Sequence, residues 1–373
     1  MKTFTAQISI IGVALVLLGA GCGSSGPQAP DGGLLRSADG GTAWQQKSNV
    51  FIAGGSASAA TFAALDVNVF VADPTHPHSL WVGTMNNGIL YSFDGGDGWL
   101  SARTITPTEL SLTTSRVNGI TVDPKNECAV YAVISPLSGP QTGKSFVIRT
   151  TNCGRAWNLV YTNELADSVF SAIAFNPFND KELFVGDTNG NLIHYDIPAD
   201  SWRKITRFEN AGVRSIVPNP KKEGEYFVAL KAGGLAHTID NGTTWSNPNF
   251  KQFRGANDVY VIALDPSKAD SLLVGSKYGI LRSDDSGNTW TPLPLLTAPG
   301  ETQILSLGIN PTNPNHIFYG TPKAFYRSDD HGANWTNKRV PTARVIKNIL
   351  VQQEKVAGID TELLWIGAWS APQ

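Results

Sequence analysis

Six carboxylates, Glu109, Glu164, Asp167, Glu209, Asp258 and Glu301, stand just ahead of short apolar runs in this 373-residue chain. Arg116, Arg214, Arg254, Arg339 and Arg344 are interleaved with them. Two carboxyls held roughly 5–9.5 Å apart could act as acid and base in glycoside hydrolysis, the separation setting the stereochemical outcome. Without such a pair, the same charges make a solvated rim or a binding surface without catalysis. His76 and His78, in the turn sequence Asp-Pro-Thr-His-Pro-His, have the spacing of a metal pair, but no third ligand accompanies them and no metal is expected. No glycine-rich stretch has phosphate-loop spacing, and no cofactor is implied.

What must position these groups is a repeat. Ser283, Asp285, Gly287 and Trp290 follow the pattern Ser-x-Asp-x-Gly-x-x-Trp, and the pattern recurs. It returns at Ser37, Asp39, Gly41, Trp44; at Ser92, Asp94, Gly96, Trp99; and at Thr150, Asn152, Gly154, Trp157. Later copies run Thr238, Asp240, Gly242, Trp245 and Ser328, Asp330, Gly332, Trp335. A degenerate copy from Tyr195 keeps only Trp202, and the tryptophans recur every 43 to 58 residues. Asp accepts nearby backbone N–H groups in such a turn, Gly supplies positive φ, and Trp is an apolar plug between neighbouring sheets. Repetition at this period signals an array of small sheets. The residues just before each turn, Arg36, Tyr91, Arg149, His194, His237, Arg282 and Arg327, fit blade-to-blade packing better than a channel-facing arginine clamp.

Each repeat reads as four strands. The first is apolar and usually ends in Asp-Pro or Asn-Pro, as in VFVADP (69–74) and VIALDP (261–266). Its near-continuous apolar character predicts an innermost strand buried on both faces. Second strands resemble LWVGT (80–84), third strands GILYS (88–92), and the fourth opens at the tryptophan as a more polar outer edge. The N-terminal segment GLLRS (33–37) supplies a third strand, while NILVQ (348–352) and LLWIGAW (363–369) supply a first and a second. The expectation is an all-β fold: a seven-bladed β-propeller whose closing blade is shared between the two termini. Extra residues at 52–64, 100–115 and 135–145 then fall on the face opposite the turns, with the channel mouth and the charged rim.

The formal net charge of −2 argues against a nucleic-acid partner steered by a basic field. Met1-Lys2, the apolar run 8–18 and Leu18-Gly-Ala-Gly-Cys22 read as an export signal over 1–21, shorter than the roughly 20 apolar residues of a membrane helix. Small residues before Cys22 resemble a bacterial lipobox, which implies lipidation of Cys22 and contact with a membrane through that anchor alone. An ordinary secretory signal with Cys22 incidental is the alternative. Residues 22–32 follow as a flexible linker and 33–373 as the propeller. Cys128 opens a second strand and Cys153 lies just past the adjacent third, so a disulfide is expected in an exported compartment.

The turn pattern resembles the Asp-box, or BNR repeat. Together with the Asp-Pro strand ends and LxVG second strands, it resembles the photosystem II stability/assembly factor family and, less closely in size, sortilin-type propellers. The first resemblance implies an exported single propeller that assists membrane-protein assembly; both imply a protein partner. Sialidases share Asp-boxes, but no Phe-Arg-Ile-Pro-like segment lies near the N-terminus. Family-74 xyloglucanases are Asp-box propellers that typically pair two such domains, so a glycan remains the alternative partner. The reading is a membrane-tethered, extracytoplasmic, non-catalytic scaffold, with a glycoside hydrolase as runner-up.

Overall fold

The computed structural model describes residues 31–51, 61–165, 167–209, 211–248, 250–356 and 358–370. Cys22, the export signal and most of the 52–64 insertion lie outside them. The named elements are all strands, grouped into seven sheets that form the blades of a propeller. Blade 1 spans 67–101, blade 2 105–162, blade 3 170–207, blade 4 212–246, blade 5 259–292 and blade 6 306–338. Blade 7 joins the ends of the chain: Val345–Val356 is innermost, Ile359–Trp369 second, Gly33–Ser37 third and Gln45–Gln46 outermost. The third strand pairs antiparallel with the second from Gly33 opposite Ala368 to Ser37 opposite Leu364, so the ring closes by backbone hydrogen bonds. Asp31 and Gly32, expected as the end of the linker, are already tied to this body; the Gly32 amide donates to the carbonyl of Ala63 (2.6 Å).

Two departures from four strands matter. Ile105–Thr106 adds a fifth strand to blade 2, parallel to Trp157–Asn158. Blade 4 has three strands, and its outer edge keeps only an isolated bridge from His237 to Ser246.

Burial corrects one expectation. The innermost strands alternate buried and half-buried positions, as in Val67–Ala72 and Val259–Leu264. The second strands are the fully buried ones, as in Leu80–Thr84 and Leu272–Ser276. The innermost strand lines the channel, so part of it stays wet; the second is sandwiched between both neighbouring blades. The hydrophobic core is therefore a ring of inter-blade seams. One seam packs Trp81 and Tyr91 of blade 1 against Val117, Ile148 and Trp157 of blade 2. The seam between blades 7 and 1 joins Leu34 and Trp365 to Leu80, Val82 and Trp99.

The glycine of the LxVG strands makes these seams close. A Cβ added at Gly186 in blade 3 would lie 2.4 Å from Val213 of blade 4, and one at Gly83 in blade 1 would lie 2.6 Å from Val117 of blade 2. Neither position has positive φ, so the requirement is space, not backbone freedom. Gly186→Ala is expected to destabilise by about 1–3 kcal/mol through overpacking. Urea unfolding checks this, and Val213→Ala in the same chain should return part of the loss; a neutral Gly186→Ala would contradict the packing argument.

Candidate functional site at the channel mouth

The tight turns hold one end of every blade except blade 3. In blade 5 the Ser283 hydroxyl donates to Asp285 Oδ1 (2.8 Å) and accepts the Gly287 amide (2.8 Å), while Asp285 Oδ1 accepts the Thr289 amide (2.8 Å). The same bonds recur at Ser37, Ser92, Thr238 and Ser328. Blade 2 makes them with Thr150 and Asn152, so the motif needs an acceptor oxygen and not a charge. The residue before each glycine also has positive φ: Cys153 at 60°, Asn241 at 55°, Ser286 at 56° and His331 at 62°. Its amide donates to the turn between first and second strands, as from Ser286 to the carbonyl of Asp270 (2.8 Å) and from His331 to that of Asn315 (2.9 Å). In blade 2 this tie runs from Cys153 to the carbonyl of Cys128, and the two cysteines are joined there by a disulfide.

Three of the side chains preceding the turns link blades on this same face, whereas Arg149, His194 and His237 find partners within their own blades, at Tyr131, Glu182 and Glu225. Arg36 of blade 7 donates to the carbonyl of Gly95 in blade 1 (3.4 Å), Arg282 of blade 5 to that of His331 in blade 6 (2.8 Å), and Arg327 of blade 6 to Glu362 of blade 7 (2.7 Å). They are fasteners between blades. The box carboxylates follow suit: hydrogen bonds from Thr244 and Thr238 hold Asp240 down at about 2, and those from Asn334 and Ser328 do the same for Asp330. A folded-state value below the unfolded one contributes stability that is complete above about pH 4 and lost as pH falls towards 2. In an acid titration followed by tryptophan fluorescence, Asp240→Asn with Asp330→Asn should lose less stability between pH 4 and 2 than the parent. An unchanged pH profile would contradict the assignment.

At the opposite end, six of the seven innermost strands share a β-bulge, and it is here that the channel acquires polar side chains. The bulged residues are Asn68, Asn118, Ser171, Arg214, Tyr260 and Lys347. Four of them reach a main-chain carbonyl of the next blade: Asn68 to Val117 (2.6 Å), Asn118 to Phe170 (2.9 Å), Ser171 to Val213 (2.6 Å) and Arg214 to Val259 (3.4 Å). Ser306 to Ile346 (2.9 Å) and Asn348 to Val67 (3.2 Å) continue the belt to the closing junction. The mouth is thus a fixed rim, since bulges re-aim side chains without breaking the sheet.

Its charge is cationic. Lys347 extends between Asn68, to which it donates, and the ring of Trp369, 5.0 Å from the centroid. Burial, and then repulsion from Arg116 and Arg214, bring its ammonium down to about 8, with Asp66 opposing. Arg116 of blade 2 and Arg214 of blade 4 are thus each within electrostatic reach of Lys347 in blade 7. Arg214 lies over Tyr260 (4.4 Å) and pairs with Asp258 (2.8 Å), whose carboxylate also accepts the Tyr260 hydroxyl (2.6 Å). Burial and that carboxylate push Tyr260 up to about 12. Arg344 is held by Asp31 (3.0 Å) and Asp66 (2.7 Å), fastening the segment ahead of Gly33–Ser37 to blades 1 and 7.

The sequence-selected rim divides accordingly. Arg116, Arg214, Asp258 and Arg344 belong to the mouth. Glu109, Glu164, Asp167, Glu209, Arg254 and Glu301 are exposed on loops, Glu164 and Asp167 sharing one, with no ion pair among them in the described residues. Glu301 accepts the amide of Ala298 (3.1 Å). The 100–115 insertion is largely structural: Ala102, Ile105, Leu110 and Leu112 are buried in the seam beside blade 2. Lys347, which sequence reasoning passed over, sits one residue ahead of the expected strand 348–352. Its signal was a polar residue after an apolar one at the start of a first strand, as in Val-Asn (67–68), Val-Arg (213–214) and Ile-Lys (346–347). Among the described residues no cluster of His, Cys, Asp or Glu has the arrangement of a metal site, and His76 and His78 lie on the box face.

Comparison with known proteins sets this geometry in context. Residues 215–357 match the family model described as Photosynthesis system II assembly factor YCF48. A probable oligoxyloglucan-reducing end-specific xyloglucanase of Neosartorya fischeri is 33% identical over 91 residues, 23% of this chain. The chain spans only 11% of that relative. The GH74 xyloglucanase of Xanthomonas campestris superposes with a TM-score of 0.63 at 14% identity, over 82% of this chain but 51% of its own. YCF48 bound to a D1 peptide gives 0.60 at 16% identity, over 83% of this chain and 94% of its own, and YCF48 from Cyanidioschyzon merolae gives 0.60 at 11%, over 82% and 96%. This chain is therefore a seven-bladed Asp-box propeller, similar in fold to YCF48 and GH74 structures and similar in parts of its sequence to the YCF48 family model and to xyloglucanases.

Proposed function

We propose that the protein is a non-catalytic scaffold that binds an acidic segment of a protein partner at the channel mouth, opposite the Asp-boxes. The observation that carries this reading is that Arg214 and Lys347 occupy bulged positions of the rim, with Arg116 and Arg214 each within electrostatic reach of Lys347, while Asp258 is committed to Arg214 and Tyr260 and Asp66 to Arg344. A hydrolase needs two carboxyls across a cleft, one of them kept protonated by its surroundings. Glu109, Glu164, Asp167, Glu209 and Glu301 are all exposed and offer no such environment. Rim cations instead attract and orient an acidic partner. A YCF48 structure with a bound D1 peptide, matched over nearly its whole length, supports a protein ligand; similarity to xyloglucanases keeps glycan hydrolysis as the competing reading.

Lipidation at Cys22, export and tethering belong to the same proposal. They are supported by the N-terminal sequence and by a disulfide suited to an oxidising compartment. Radiolabelled palmitate should enter the full chain and be lost with Cys22→Ser, which should also release the domain from membranes.

Capture of the partner from native envelope should fall about tenfold or more with Arg116→Glu. It should also weaken as pH rises through 8, because Lys347 loses its charge there, and Lys347→Gln should flatten that dependence. Release of sugar from xyloglucan, abolished by neutralising one or two of the six candidate carboxylates, would overturn the scaffold reading.

A further inference from the structure

In six blades the residue just ahead of the box position, such as His237 or Arg282, is tied to a neighbour, whereas blade 1 carries Tyr91 there. The Tyr91 ring stacks on Trp81, centroids 5.2 Å and planes 26° apart. It also packs against the box of blade 2, where a Cβ added at Gly154 would lie 3.0 Å from it. Tyr91 is 6% exposed, and among the described residues its hydroxyl has no hydrogen-bond partner. It lines a cavity of about 500 Å³ between the boxes of blades 1 and 2. Phe93 lines the same cavity, meets Trp81 and Tyr91 at steep angles (86° and 61°) and stays 40% exposed.

The polar groups around these rings are balanced. Arg155 of blade 2 is exposed and makes no side-chain hydrogen bond or ion pair among the described residues. Glu127 receives the Ser79 hydroxyl on Oε2, which lies 3.9 Å from His76 Nδ1, while its Oε1 accepts nothing from the described residues. Burial pushes the Tyr91 phenol up, with Arg155 opposing, so the hydroxyl stays protonated at neutral pH and can both donate and accept. The main chain at these two boxes is already committed. The carbonyl of His78 takes the Gly95 amide (3.1 Å), and that of Cys128 takes the Cys153 amide (3.2 Å). One cation, one carboxylate and one phenol beside an open ring suit an uncharged ligand that is rich in hydroxyls and has an apolar face.

We propose that this cavity binds a neutral saccharide, about one or two hexose rings long. The flat C–H face of a hexose lies against Phe93. Its hydroxyls accept from Arg155, donate to Glu127 Oε1 and do both with Tyr91. An acidic saccharide brings a charge that Glu127 opposes, and an extended peptide finds no open main-chain edge to pair with. The site lies on the Asp-box face and requires no hydrolysis, so it stands or falls apart from the channel-mouth reading.

The test is calorimetric titration of the mature protein with cellotetraose, mannotetraose and maltotetraose, beside tetragalacturonate and tetraglycine. At least one neutral sugar should bind at millimolar concentration or below, and tetragalacturonate about tenfold more weakly or not at all. Arg155→Ala should weaken the sugar about tenfold by removing a charge-assisted hydrogen bond, and Phe93→Ala by a similar factor. Because Arg155 is exposed and unpaired, its variant should keep the parent's melting temperature, which separates loss of the site from loss of the fold. Arg116→Glu, at the mouth, should leave saccharide binding unaltered. Binding of none of the three sugars, insensitivity to Arg155→Ala and Phe93→Ala, loss through Arg116→Glu, or preference for tetragalacturonate or tetraglycine would each overturn the proposal.

Discussion

A blade of this protein cannot bury its own faces, and the whole structure depends on each sheet packing flat against the next. A small twisted sheet exposes two apolar surfaces; only a neighbour on either side removes both from water, and only a closed ring gives every blade two neighbours. The glycines of the second strands set how closely the sheets approach, as Gly186 against Val213 and Gly83 against Val117 show. Tryptophans such as Trp99 and Trp157 fill the outer part of each seam. Closure is completed where Gly33–Ser37 pairs with Ile359–Trp369, joining both ends of the chain in one sheet.

The two faces of the ring use different chemistry to hold neighbouring blades in line. On the Asp-box face, a side chain just ahead of the box reaches the following blade, as Arg282 does to His331 and Arg327 to Glu362. On the opposite face, the bulged residues of the innermost strands bond to carbonyls of the following blade. The first arrangement leaves a surface of saturated turns. The second leaves Arg214 and Lys347 at bulged positions of a fixed rim, with Arg116 within electrostatic reach of Lys347. Preorganised charge of this kind favours binding, because little ordering remains to be done when a partner arrives.

Much of this was legible in the residues. Box spacing, Asp-Pro strand ends and the terminal half-blades lead to seven blades and split closure, because turns and strand patterns are local. The position of side chains around the ring was less legible. Glu109, Glu164 and Glu209 precede first strands, as Arg116 and Arg214 do, yet those glutamates are exposed on loops while the arginines belong to the strand ends. A one-residue bulge decides which side chain enters the channel, and bulges leave only a faint pattern in sequence. Lys347 was hidden for that reason. The 100–115 insertion misled in another way: its apolar residues, Ile105 and Leu112 among them, go into a seam and not onto a binding surface. Trp202 shows the converse, since a degraded box reads as a lost turn and gives no hint that its tryptophan is flanked by Tyr195 and Tyr161.

The central claim is that the rim of innermost-strand ends, and not the Asp-box face, meets the partner. Photo-crosslinking in native envelope tests it directly, with a photoreactive residue placed at position 116 on the rim or at position 284 beside an Asp-box. The account predicts a discrete protein adduct from position 116, competed away by excess unlabelled mature domain, and none from position 284. A competed adduct from position 284 with none from 116 would contradict it.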